Sequence, residues 1–83
     1  MTPIRIFTKS YCPYCVAAKD LFKTKGYEYE EISVEENQDN FFTLVEKHNH
    51  RTVPMIFIGE TFVGGFDQLK KLNDEGKLEE MMG

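Results

Sequence analysis

Apolar and polar positions alternate at the start of the chain. Ile4 and Ile6 stand against Arg5 in a run rich in β-branched and aromatic residues, so Pro3 to Thr8 is predicted as a short strand. From Pro13 to about Lys25 the spacing changes. Cys15, Ala18, Leu21 and Phe22 recur at intervals of three and four, the face of an amphipathic helix. Gly26 supplies the stop, and Lys23 and Lys25 suit the carboxyl end of the helix dipole. Alternation resumes at Tyr27-Glu28-Tyr29-Glu30 and runs to Val34, predicting a second strand. Strand, helix and strand in this order form a βαβ unit, whose crossover is expected to be right-handed.

Asn37 or Asp39 can cap a second helix in which Phe41, Leu44, Val45 and His48 share a face. Met55 to Ile58, Gly59-Glu60 and Thr61 to Val63 have the form of a β-hairpin with turn residues in the middle. Gly64-Gly65 breaks that strand. Asp67 then opens a third helix with Phe66, Leu69 and Leu72 on its apolar side, and Gly76 separates it from a last helical turn carrying Leu78, Met81 and Met82. The predicted order is β-α-β-α-β-β-α over one domain, residues 1–83, without linker or repeat. A chain of 83 residues has no room for a second core.

Composition narrows the function classes. The apolar fraction is 41 %, with seven Phe and four Tyr, enough for a packed interior. A net charge of -4 provides no basic face to neutralise phosphates, so neither nucleic acid nor an acidic membrane surface is an expected partner. No stretch approaches the roughly 20 apolar residues that span a bilayer, and residues 1–6 lack the apolar core of a signal peptide. A cytoplasmic location is the expectation.

Both cysteines of the chain, Cys12 and Cys15, lie in Tyr-Cys-Pro-Tyr-Cys at residues 11–15. In a reducing compartment a permanent structural disulfide is disfavoured. A bridge closing a four-residue loop would contribute only about 2 kcal/mol in the chain-entropy model. A zinc site would need about four ligands. The remaining soft candidates, His48 and His50, are two residues apart and diverge in direction, so no metal site is expected. Two buried structural thiols fit poorly as well, because Cys12 falls at a strand-to-helix junction. A C-x-x-C pair beside a βαβ pattern fits a redox pair. Pro13 suits the first helical position, which puts Cys12 at the helix amino terminus, where free N–H groups and the dipole stabilise a thiolate. Cys12 is the expected nucleophile. Cys15, one turn on and facing inward, is the expected resolving thiol. Lys9 adds a nearby positive charge.

The segment Thr8-Lys9-Ser10-Tyr11-Cys12-Pro13-Tyr14-Cys15 resembles the dithiol glutaredoxin active site, and Thr52-Val53-Pro54 and Gly64-Gly65 follow in that family's order. The resemblance implies a thioredoxin-like α/β fold with a four-stranded mixed sheet flanked by helices. It also implies glutathione as co-substrate and partner, with no tightly bound cofactor, and disulfide-containing or glutathionylated proteins as substrates of a monomer. Residue by residue, Pro54 would be the family's cis-proline, Thr52 would line the glutathione site, and Val53 would pair strand-like with the cysteinyl residue of the tripeptide. Gly65, Phe66 and Asp67 would meet its γ-glutamyl end, Tyr14 would cover it, and Lys9 would face its glycine carboxylate. Two departures stand out. Phe66 and Gln68 occupy positions where the family commonly has Cys or Ser and an acidic residue, and Phe41 stands where a polar or basic residue often meets the glycine carboxylate. Gln38, Asn40 and Arg51 are the candidates to replace it. A protein reductase of the thioredoxin type and a dimer holding an iron-sulfur cluster through glutathione are the alternative functions.

Overall fold

The computed structural model describes residues 2–83. It contains strands β1 (Ile4–Thr8), β2 (Glu30–Ser33), β3 (Met55–Ile58) and β4 (Thr61–Gly64), and helices α1 (Pro13–Lys25), α2 (Gln38–His48), α3 (Phe66–Asp74) and α4 (Lys77–Met82). The strands form one mixed sheet in the order β2-β1-β3-β4. β1 runs parallel to β2 and antiparallel to β3, and β4 pairs antiparallel with β3.

Alternation along β1 assigns its side chains to opposite faces. Ile4 and Ile6 enter a core with Ala18 and Phe22 of α1, Leu69 of α3, and Leu78 and Met82 of α4. Phe7 points the other way, into a second core with Val34, Phe41, Val45, Met55 and Phe57. The sheet is therefore covered by α1, α3 and α4 on one face and by α2 on the other. Arg5 escapes burial by lying over the Phe57 ring, 5.0 Å from its centroid.

The second strand is shorter than its sequence pattern. Pairing with β1 begins only at Arg5↔Glu30, so Tyr27 and Tyr29, after the left-handed turn at Gly26, stay outside the strand. They pack against the first core instead, with Tyr29 5.8 Å from Phe22 between ring centroids. The third helix starts one residue before Asp67. Gly65 is its N-cap, and the Gly65 N–H donates to Gln68 Oε1 at 2.9 Å, the side-chain half of a capping box. Neither Asn37 nor Asp39 caps α2 through its side chain. Asn37 is the N-cap residue, yet its Nδ2 donates to Ser33 O at 2.8 Å and closes the β2–α2 turn. Gly64 ends β4 paired with Ile56, at φ 112°, a conformation that favours glycine.

Candidate functional site

β1 delivers the chain to a loop, residues 9–12, that turns into α1. Tyr11 takes a left-handed backbone conformation (φ 58°), which reverses the chain and leaves its side chain fully exposed. Cys12 is the N-cap of α1 with extended backbone, and Pro13 follows at the first helical position. The Cys15 N–H donates to Cys12 Sγ at 3.2 Å, so the sulfur replaces the hydroxyl or carboxylate that ordinarily caps a helix. On its other side the Cys12 thiol donates to Val53 O at 3.8 Å. Cys12 is thus held between α1 and the segment that precedes β3.

Cys15 has the opposite environment. Only 1 % of its surface is exposed. Burial pushes its thiol up from 9.0 to about 12, and its hydrogen bond to the Cys12 side chain acts in the same direction. The Lys9 backbone and the Lys19 ammonium oppose the shift without reversing it. Lys19 itself is held by Glu31 at 3.0 Å, and Glu31 accepts a further bond from the Thr8 hydroxyl at 2.8 Å. These bonds, Thr8 first and Lys19 second, hold the Glu31 carboxyl below its usual value. Both cysteines are free thiols here.

Beside Cys12 lies a cleft of about 410 Å³ lined by Tyr14, His50, Thr52, Val53, Pro54, Gly65, Phe66, Asp67 and Gln68. Seven of the residues named from sequence meet in it, drawn from three separate segments. Tyr14 and Phe66 form an aromatic wall, their ring centroids 6.2 Å apart. The Val53–Pro54 bond is cis. Gly65 borders the floor, where a Cβ would lie 3.7 Å from Pro54 O and 3.6 Å from His50 Cε1. Asp67 is exposed at the start of α3.

Lys9 lies elsewhere, in a neighbouring depression with Gln38, Phe41, Phe42 and Arg51. Of the three candidate substitutes for a polar residue at position 41, Gln38 and Arg51 line that depression. Asn40 instead lines a groove with Glu35, Glu36 and Asp39. Phe41 is buried against Phe7, 6.2 Å between ring centroids, and serves the second core. Sequence marks His50 only as a metal-ligand candidate. Its place two residues before Thr52 is the one signal that points it toward the cleft.

Residues 4–63 match the family model described as Glutaredoxin. The chain is 42 % identical over 82 residues to a glutaredoxin of Pseudomonas aeruginosa, covering 99 % of this chain and 98 % of that protein. It is 34 % identical over 82 residues to glutaredoxin 3 of Escherichia coli, covering 99 % of each. Among solved structures, a buckwheat glutaredoxin–glutathione complex superposes with a TM-score of 0.88 at 35 % identity, over 96 % of this chain and 76 % of that one. A dithiolic glutaredoxin of Trypanosoma brucei brucei superposes with a TM-score of 0.90 at 30 % identity, over 99 % and 88 %. With its thioredoxin-like sheet, its two closely spaced cysteines and this near full-length similarity, the chain belongs to the glutaredoxin family of thiol–disulfide oxidoreductases.

Proposed function

We propose that the protein is a glutathione-dependent dithiol oxidoreductase that reduces protein–glutathione mixed disulfides and protein disulfides through Cys12 and Cys15. The observation that carries this reading is the meeting of the Cys12 sulfur with the Val53 carbonyl at one end of the cleft. An extended cysteinyl peptide pairing with the Val53 backbone would bring its sulfur to Cys12. The similar buckwheat protein forms a complex with glutathione, which supports the same ligand for this cleft. Asp67 would hold the γ-glutamyl ammonium, free N–H groups at the start of α3 the adjoining carboxylate, and the Tyr14–Phe66 wall would cover the tripeptide. Lys9, with Arg51 in the same depression, would face the glycine carboxylate.

In the first reaction the Cys12 thiolate attacks the glutathione sulfur of a mixed disulfide. A Cys12–glutathione disulfide forms and the protein thiolate leaves, taking a proton from water. A second glutathione thiolate then attacks the glutathione sulfur of that intermediate, releasing glutathione disulfide and the Cys12 thiolate. For a protein disulfide, Cys12 forms the mixed disulfide with the target. Cys15 loses its proton, attacks Cys12 Sγ and releases the reduced target, leaving a Cys12–Cys15 disulfide that two glutathiones reduce. Burial keeps Cys15 protonated until Cys12 is engaged, so the two thiols do not compete for the same substrate sulfur.

The test is a coupled assay with glutathione, glutathione reductase and a small glutathione mixed disulfide. Turnover is expected. Absence of turnover there, with activity driven by thioredoxin reductase instead, would assign the chain to protein reduction of the thioredoxin type.

A further inference from the structure

His50 is a titratable side chain in the cleft with no role in the thiol-exchange steps. Its ring is fixed on two sides. Nε2 shares a hydrogen bond with Thr52 Oγ1 at 3.2 Å, and the ring meets Phe62 of β4 edge-on, 5.5 Å between centroids. Its Cε1 edge faces Gly65, the N-cap of α3, and Nδ1 has no hydrogen-bond partner among the described residues. The neighbouring backbone is also committed. The Gly65 N–H is already taken by Gln68 Oε1 at 2.9 Å, so the first donor of the α3 start is closed to a ligand.

On the glutathione reading of this cleft, we infer that His50 is a specificity-determining residue whose imidazolium binds the γ-glutamyl carboxylate beside the α3 amino terminus. It supplies the donor that the Gln68 cap removes. Asp67 and His50 then present opposite charges to a ligand end that carries both an ammonium and a carboxylate. Affinity is therefore higher with the ring protonated than with it neutral. The other titratable or charged groups around His50 are Asp67 and Tyr14 in the cleft, Arg51 next in the chain, and His48, which stacks on Phe62 at 4.3 Å.

The test is calorimetric binding of S-methylglutathione, a ligand that cannot exchange, to the full chain carrying Cys12→Ser, at pH 5.5 and 8.5. Binding is expected to be roughly 1.5- to fivefold tighter at the lower pH, the range of an exposed ion pair. Adding His50→Gln should leave one affinity at both pH values. Adding His50→Lys should keep the tighter affinity at pH 8.5, and His48→Gln should leave the pH dependence intact. N-acetyl-S-methylcysteinylglycine, which lacks the γ-glutamyl group and has no free amine, should bind with no pH dependence. A pH dependence that survives His50→Gln, or that disappears with His48→Gln, overturns the role of His50 while leaving glutathione as ligand. No binding at either pH overturns the glutathione reading itself.

Discussion

The two cysteine-bearing turns of α1 and the cleft beside them differ in how they are built. The redox end is one continuous segment, Thr8 to Lys19, in which a strand end, a left-handed turn and a helix start follow each other in the chain. The cleft is convergent. Tyr14, the Thr52–Pro54 segment and the start of α3 meet only because β3 lies beside β1 and α3 packs on the same sheet face as α1. Within one local segment only two residues separate a sulfur that caps a helix from one that is wholly buried. A convergent cleft needs the whole core behind it. Changes at Cys12 and Cys15 should therefore alter chemical steps at constant binding, and changes in the cleft should alter binding or stability.

Cys12→Ser should have the largest effect, abolishing turnover with both glutathione mixed disulfides and protein disulfides, a loss of about 10³-fold or more for a missing nucleophile. Residual thiol turnover through Cys15 would break the division of roles. Cys15→Ser should separate the two reactions: removal of glutathione from a model peptide persists, and reduction of a protein disulfide such as insulin fails. Loss of both would show that the buried thiol has a chemical part in the first step.

On the cleft side, Leu69→Ala removes a fully buried contact between α3 and the sheet. It should cost about 2–5 kcal/mol in denaturant unfolding, the range of such cavities. It should also raise KM for glutathionylated substrate more than it lowers kcat, because α3 carries the cleft wall. Gln68→Ala removes the cap on Gly65 and should cost about 1 kcal/mol, with the cleft residues otherwise in place. A change in kcat without a change in KM would contradict the separation of the two regions.

The smallest effect expected at neutral pH is on Cys15. Its thiol is raised in the folded protein, so the fold prefers the protonated form. That stabilisation is fully present below about pH 9 and is lost as pH rises through about 12. Iodoacetamide labelling followed by mass spectrometry should accordingly modify Cys12 alone at pH 8. Labelling of Cys15 at a comparable rate in the folded protein would contradict its buried, protonated state.

Much of the fold is legible in the sequence because each signal is local. The apolar spacing of Cys15, Ala18 and Phe22 marks α1, Gly26 ends it, and Gly59-Glu60 closes the β3–β4 hairpin. Where local pattern and tertiary partner disagree, the partner wins. Tyr27 and Tyr29 alternate like strand residues but pack against the first core without pairing with β1. Asp67 is expected from sequence to open the third helix, yet α3 starts at Phe66 with Gly65 as its N-cap, held by the Gln68 side chain. Lys9 stands three residues from Cys12 in sequence but belongs to a different depression from the cleft.

By itself, then, the sequence determined the redox end. The order Cys-Pro-Tyr-Cys at a strand-to-helix junction places one sulfur at the helix cap and the other one turn on along the helix. Only the tertiary structure decided that Gln68 closes the first donor of α3 and that His50 stands in the cleft. Those outcomes depend on side chains from separate elements reaching one point. No spacing along the chain encodes that point, because it is set by sheet order and by which core each element packs against.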